Sequence, residues 1–202
     1  LAAAARTAVE VRLMKPPPLD QPLTIRADAG SGLVLLDGEE PVATAIPKTF
    51  ALDVPKPPTY AEALVAVRGY EGFKHHTYPG CFVCGPERSR GDGMRIFASP
   101  IAGKELCAAA WLPDDSLAGA DGKVLPEFMW AALDCPGFFA SGAASRGALL
   151  GLYAARVDRC VHVSEACVVI GWSLGHDGRK HYTGTAVFDE DGELCGRAIA
   201  TW

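Results

Sequence analysis

The sequence predicts an α+β fold in which an antiparallel sheet packs against a central helix, and three observations predict it. Short strand-like runs recur at close spacing with Asp-Gly turns between them. One helix, residues 126–135, is apolar on nearly every side. The order helix, then meander of strands, occurs in both halves of the 202-residue chain, a length that suits one large domain or two small ones.

In order along the chain, LAAAAR at residues 1–6 reads as the end of a helix whose beginning is missing. Residues 9–14 alternate and stop at Pro16-Pro17-Pro18, which gives a strand and its terminator. Residues 23–27, 33–36 and 42–46 are three more strands, the last two joined through the turn LDGE at residues 36–39. Residues 47–58 are rich in Pro and Lys and read as an extended linker. Thr59 and Glu62 have the spacing of a capping box, so a short helix is expected to about Gly69.

Beyond Cys81 the pattern is strand 105–111, helix 126–135, and strands 149–157, 166–174, 182–188 and 194–201, with turns at HDGR and DEDG. The Asp-Gly turn precedes the last strand of a meander in each half, which suggests an internal duplication. The expected division is a partial first unit at 1–46, a linker with a short helix at 47–80, and a complete second unit at 81–202.

A net charge of -5 without clustered Lys and Arg argues against nucleic acid as a partner. No apolar run reaches about 18 residues, so no membrane span is expected. Seven Cys, an odd number with five in core-like segments (Cys107, Cys135, Cys160, Cys167, Cys195), suit reduced thiols in the cytoplasm better than a disulfide framework.

In the helix, Leu125, Phe128, Met129, Ala132 and Leu133 form one apolar stripe, and Trp130, Ala131 and Cys135 are apolar off it. Asp134 stands nearly alone among them, near the end where Cys135-Pro136-Gly137 bends or stops the helix. Desolvation and the helix dipole both push such a carboxyl upward, as a general base or nucleophile requires. The structural alternative is an Asp that caps a neighbouring loop or pairs with an Arg such as Arg146 or Arg156. Glu127 is a second catalytic candidate, although an acid in a first turn also stabilises the helix dipole.

CFVCGP at residues 81–86, GDGMRI at 91–96, ALD at 132–134 and DGE at 191–193 resemble, in kind and order, the hotdog-fold thioesterase superfamily of the phenylacetate-pathway type. The resemblance covers residues 81–202 well and 1–46 loosely. It implies a hotdog fold, a curved antiparallel sheet wrapped around a central helix, duplicated here as a double hotdog. It also implies an acyl-CoA thioesterase-like hydrolase acting on acyl-CoA or a related small thioester, with no cofactor. Asp134 then maps to the carboxylate that attacks the thioester or activates water. The family's oxyanion site uses backbone amides at the helix start, where this chain departs from the Gly-pair pattern with Val124-Leu125-Pro126-Glu127. Pro126 has no N–H to give, which leaves Glu127 or a neighbour. That departure favours the alternative, a non-catalytic hotdog module that binds an acyl thioester or a protein partner. Fold analogy suggests a homodimer of double-hotdog chains.

Trp130 is a candidate substrate contact, and Arg179, Lys180 and His181 are candidates for the coenzyme phosphates, with Arg88, Arg90 and Arg95 as a second basic cluster. Ala140, Gly142, Ala143 and Ala144 leave room beside the helix for an acyl group. Cys81 and Cys84, with His75 or His76 upstream, raise the question of zinc in a small interaction domain at residues 75–95. Without a second CxxC or an HxxxH, the expectation is no metal.

Overall fold

The computed structural model describes residues 8–28, 30, 32–142 and 147–202. The strands are β1 (Ala8–Leu13), β2 (Thr24–Asp28), β3 (Gly32–Asp37), β4 (Glu40–Lys48), β5 (Ser99–Pro100), β6 (Cys107–Trp111), β7 (Leu152–Val157), β8 (Cys167–Asp177), β9 (Lys180–Phe188) and β10 (Leu194–Thr201). They form one sheet in the order β2-β3-β4-β1-β7-β10-β9-β8-β6-β5. Every ladder is antiparallel. The helices are α1 (Tyr60–Ala66), α2 (Pro126–Ala132) and α3 (Cys135–Ala140). The LAAAAR stretch lies outside the described residues.

The expected strands all form, and β8 and β9 run further than their hydrophobic pattern indicates. Their hairpin continues to Asp177↔Lys180 through a register shift between Ser173 and Gly175. Gly175 takes φ 114 there, a conformation that side chains resist, so the irregular strand end carries no alternation for the sequence to display.

The second half has a hotdog-like arrangement, in which a helical segment lies across one face of an antiparallel sheet. Along β8, Cys167 and Val169 face the cluster that holds Met129, Ala132, Leu133 and Cys135. Val168, Ile170 and Trp172 face a second cluster with Ala63, on α1. Both faces are therefore covered, which is why β8 reads as a continuous apolar run. The Pro-rich segment is extended as expected, yet it packs: Leu52 and Val54 lie against the α1-side cluster.

The predicted capping box starts α1. Thr59 Oγ1 accepts from the Glu62 N–H at 3.2 Å, and Glu62 Oε2 accepts from the Thr59 N–H at 2.6 Å. Thr59→Ala is expected to cost about 1 kcal/mol of stability, read from urea denaturation.

The strand order has a partial internal symmetry. Outward from the β1/β7 pair, one side runs β4, β3, β2 and the other runs β10, β9, β8 before β6 and β5 extend it further. The two sides differ in cover. Ile25, Leu35, Ala43 and Leu13 form one cross-strand row in the first half, and Ile25 is 57% and Leu13 44% exposed.

Candidate active site at the helix break

The predicted 126–135 helix is two short helices with Leu133 and Asp134 between them. Pro136 is the cause: it has no N–H to donate and its ring crowds the carbonyl four residues back. The Gly137 N–H turns to the Asp134 carbonyl at 3.1 Å. This frees the Leu133 carbonyl, which accepts instead from Thr185 Oγ1 on β9 at 2.6 Å, a buried contact. Thr185→Val keeps the shape and leaves that carbonyl unpaired, with an expected loss of about 1–3 kcal/mol in urea denaturation.

Asp134 sits at this break as the residue preceding α3, and its side chain makes no capping bond. The residue keeps partial exposure. Its Oδ1, however, is sealed from solvent and has no hydrogen-bond partner among the described residues. Burial, and then the neighbouring Cys81 sulfur, push the Asp134 carboxyl up to about 7. The ion-pair alternative finds no support at Arg156, which binds Asp158 at 2.6 Å; Arg146 lies outside the described residues. Tyr153 is beside the break, and its hydroxyl donates to the Trp130 carbonyl at 2.9 Å.

The other predicted site residues do not converge on Asp134. Glu127 is exposed, and seven residues at 1.5 Å rise put it about 10 Å away along the helical axis. The amides of Phe128 and Met129 both bond to the Leu125 carbonyl, at 3.0 and 3.2 Å. Trp130 is half-buried and stacks edge-on against Tyr153, with ring centroids 5.5 Å apart. Arg179 and Lys180 are exposed at the β8–β9 hairpin. His181 does not join them, because strand alternation turns it inward, where it is 9% exposed, and its backbone pairs with Trp202. Arg88 bonds to Gly80 and Asp92, and Arg95 lies over the Phe97 ring.

Ala140 and Gly142 do border open space, a cleft of about 860 Å³ at the end of α3 that Phe139, Trp172, Lys56 and Lys104 also line. Ala143 and Ala144 lie outside the described residues.

Next to Asp134 the fold assembles a thiol cluster that spacing alone did not reveal. The sulfurs of Cys81, Cys84 and Cys135 lie within 4.8 Å of one another. His76, not His75, approaches them, with Nε2 3.4 Å from Cys84 Sγ; His75 is exposed. The Cys135 and Cys84 thiols, and after them amide donors, hold the Cys81 thiol far below the usual range, and the Cys81 and Cys84 sulfurs, with burial, push Cys135 well above it. Cys135 had read as a core cysteine because a single Cys on a helix has no ligand spacing.

No protein-family profile and no curated protein matches the chain. Many similar solved structures are thioesterase superfamily proteins, at low identity. One, described as a thioesterase superfamily protein, shares 17% identity with a TM-score of 0.48 and covers 53% of this chain and 55% of its own. Zebra fish thioesterase superfamily member 2 shares 11%, with a TM-score of 0.46, over 52% of this chain and 78% of its own. A Streptococcus mutans protein bound to acetyl CoA shares 16%, with a TM-score of 0.42, over 48% of this chain and 79% of its own. The match to the first of these spans about half of either chain, and likeness at this level concerns the arrangement of strands and helix alone.

Proposed function

We propose that the protein is a double-hotdog thioester hydrolase in which the Asp134 carboxylate attacks an acyl thioester or activates water against it. One observation carries the reading: a carboxylate at the break of the central helix, with Oδ1 enclosed and unpaired. A buried unpaired carboxylate oxygen is costly, and a carboxyl raised in this way has the tuning a general base or nucleophile needs. The runs β4-β3-β2 and β10-β9-β8 on either side of the β1/β7 pair support duplication, with β6 and β5 added on the second side. The cleft at the end of α3 carries Lys56 and Lys104, with Glu105 beside them, on a lining that does not include Asp134, so it supports the binding of an anionic acyl-CoA rather than the chemistry itself. Seven free thiols fit a reducing cytoplasm, and dimerisation of the double unit follows fold analogy.

A second reading, an acyl-thioester-binding module without turnover, is favoured by the start of α2. Pro126 has no N–H, and the Phe128 and Met129 N–H groups already bond to the Leu125 carbonyl, which leaves the Glu127 N–H as the donor at the helix start. The test is thiol release from a panel of acyl-CoA and aryl-CoA esters, with binding measured alongside. Turnover of at least one ester supports hydrolysis. Binding without turnover selects the module, and neither binding nor turnover removes both readings.

A further inference from the structure

We propose that Cys81, Cys84 and Cys135 bind one zinc-class ion, with His76 donating a hydrogen bond to the Cys84 sulfur. The site does not rest on the hydrolase reading, although its Cys81 sulfur neighbours Asp134.

Four observations support it. First, three sulfurs from two distant segments lie within 4.8 Å of one another, and Cys81 Sγ is 3.7 Å from Cys135 Sγ. A tetrahedral ion with bonds of 2.3 Å to sulfur holds two thiolates about 3.8 Å apart, whereas a disulfide needs about 2.05 Å. Second, the loop at residues 81–85 is a tight turn that brings the Cys81 and Cys84 sulfurs together. The Gly85 N–H closes the turn on the Cys81 carbonyl at 2.9 Å, and a Cβ on Gly85 would come within 2.5 Å of the backbone of Cys81 and Pro79.

Third, the imidazole is oriented. His76 Nδ1 accepts from the Tyr78 N–H at 2.9 Å, so the proton of the neutral ring sits on Nε2, directed at the Cys84 sulfur 3.4 Å away. Such a second partner is what orients and tunes a metal-bound thiolate. Fourth, the cluster is enclosed, with Cys84 and Cys135 buried and Cys81 half-buried. More than one thiolate there requires a cation, and thiolate ligands select zinc over magnesium or calcium. On binding, each sulfur that still carries a proton releases it to solvent as it bonds the ion. The ion joins the 81–85 loop to the first residue of α3 and so fixes the break that carries Asp134.

The test uses the whole chain, purified under reducing conditions, stripped with a chelator and titrated with Co²⁺ and then Zn²⁺. The expected result is one ion per chain, with sulfur-to-cobalt charge-transfer absorption and three thiols protected from alkylation. Cys81→Ser, Cys84→Ser and Cys135→Ser should each weaken Zn²⁺ binding by about 100-fold or more, and Cys160→Ser should leave it unchanged. His76→Ala should weaken it by about 10–100-fold and retain the charge-transfer band. Should the serine variants fail to fold, the wild type alone decides. Absence of charge-transfer absorption and of thiol protection on adding metal, or an unchanged affinity in Cys135→Ser, overturns the proposal and leaves three reduced core thiols.

Discussion

Gly171→Ala is expected to lower stability by about 3 kcal/mol or more, a large part of the roughly 5–15 kcal/mol that holds an ordinary domain together. A Cβ at this β8 position would lie 2.2 Å from the Pro136 carbonyl oxygen, 2.5 Å from its carbon and 3.0 Å from the Gly137 nitrogen. All three are backbone atoms, so no side-chain rotation relieves the overlap. Either α3 lifts from the sheet or β8 bends, and each movement disturbs the cluster of Met129, Leu133, Cys135 and Val169. Gly38→Ala is the control. Its Cβ meets nothing within 4 Å and carries only left-handed strain at φ 59, a cost of about 1–2 kcal/mol. Urea midpoints for the two variants should therefore separate clearly, and equal losses would mean that α3 is not seated on Gly171.

The close approach at Gly171 also shows where sequence reasoning stops. Strand periodicity, the Asp-Gly turns and the Thr59–Glu62 box were all local, and each appears where the sequence puts it. The break in the central helix was half legible. Pro136 announced a bend, but the continuation as α3 depends on long-range partners, Thr185 for the freed carbonyl and Gly171 for the seat. No periodicity encodes such partners, which lie dozens of residues away.

The candidate site divides in the same way. Asp134 stood out because a lone carboxylate in an apolar helix violates a local rule, and such violations gather at functional or strained positions. Glu127, Arg179, Lys180 and His181 were named for their chemistry alone, and the structure disperses them. Cys135 was invisible as a cluster member because its neighbours, Cys81 and Cys84, come from a loop more than fifty residues upstream. His76 rather than His75 reaches that cluster, a choice made by the loop's path and not by composition.

Asp134→Asn is the second large effect. Asn keeps the size and shape of the side chain but cannot act as a carboxylate base or nucleophile, so the rate of thioester hydrolysis should fall by about 100-fold or more. That factor corresponds to about 2.7 kcal/mol of transition-state stabilisation. Stability should not fall with it, because an enclosed, unpaired oxygen loses no hydrogen bond in the exchange. A structural carboxylate would behave in the opposite way, with a lowered unfolding midpoint and an unchanged rate per folded molecule.

The decisive measurement is kcat/KM for the best ester of the acyl-CoA panel, for wild type and Asp134→Asn side by side, with the urea midpoint of each. A loss of about 100-fold or more at an unchanged midpoint is the predicted result. A variant that is folded and hydrolyses the ester as fast as the wild type contradicts the assignment of the chemistry to Asp134.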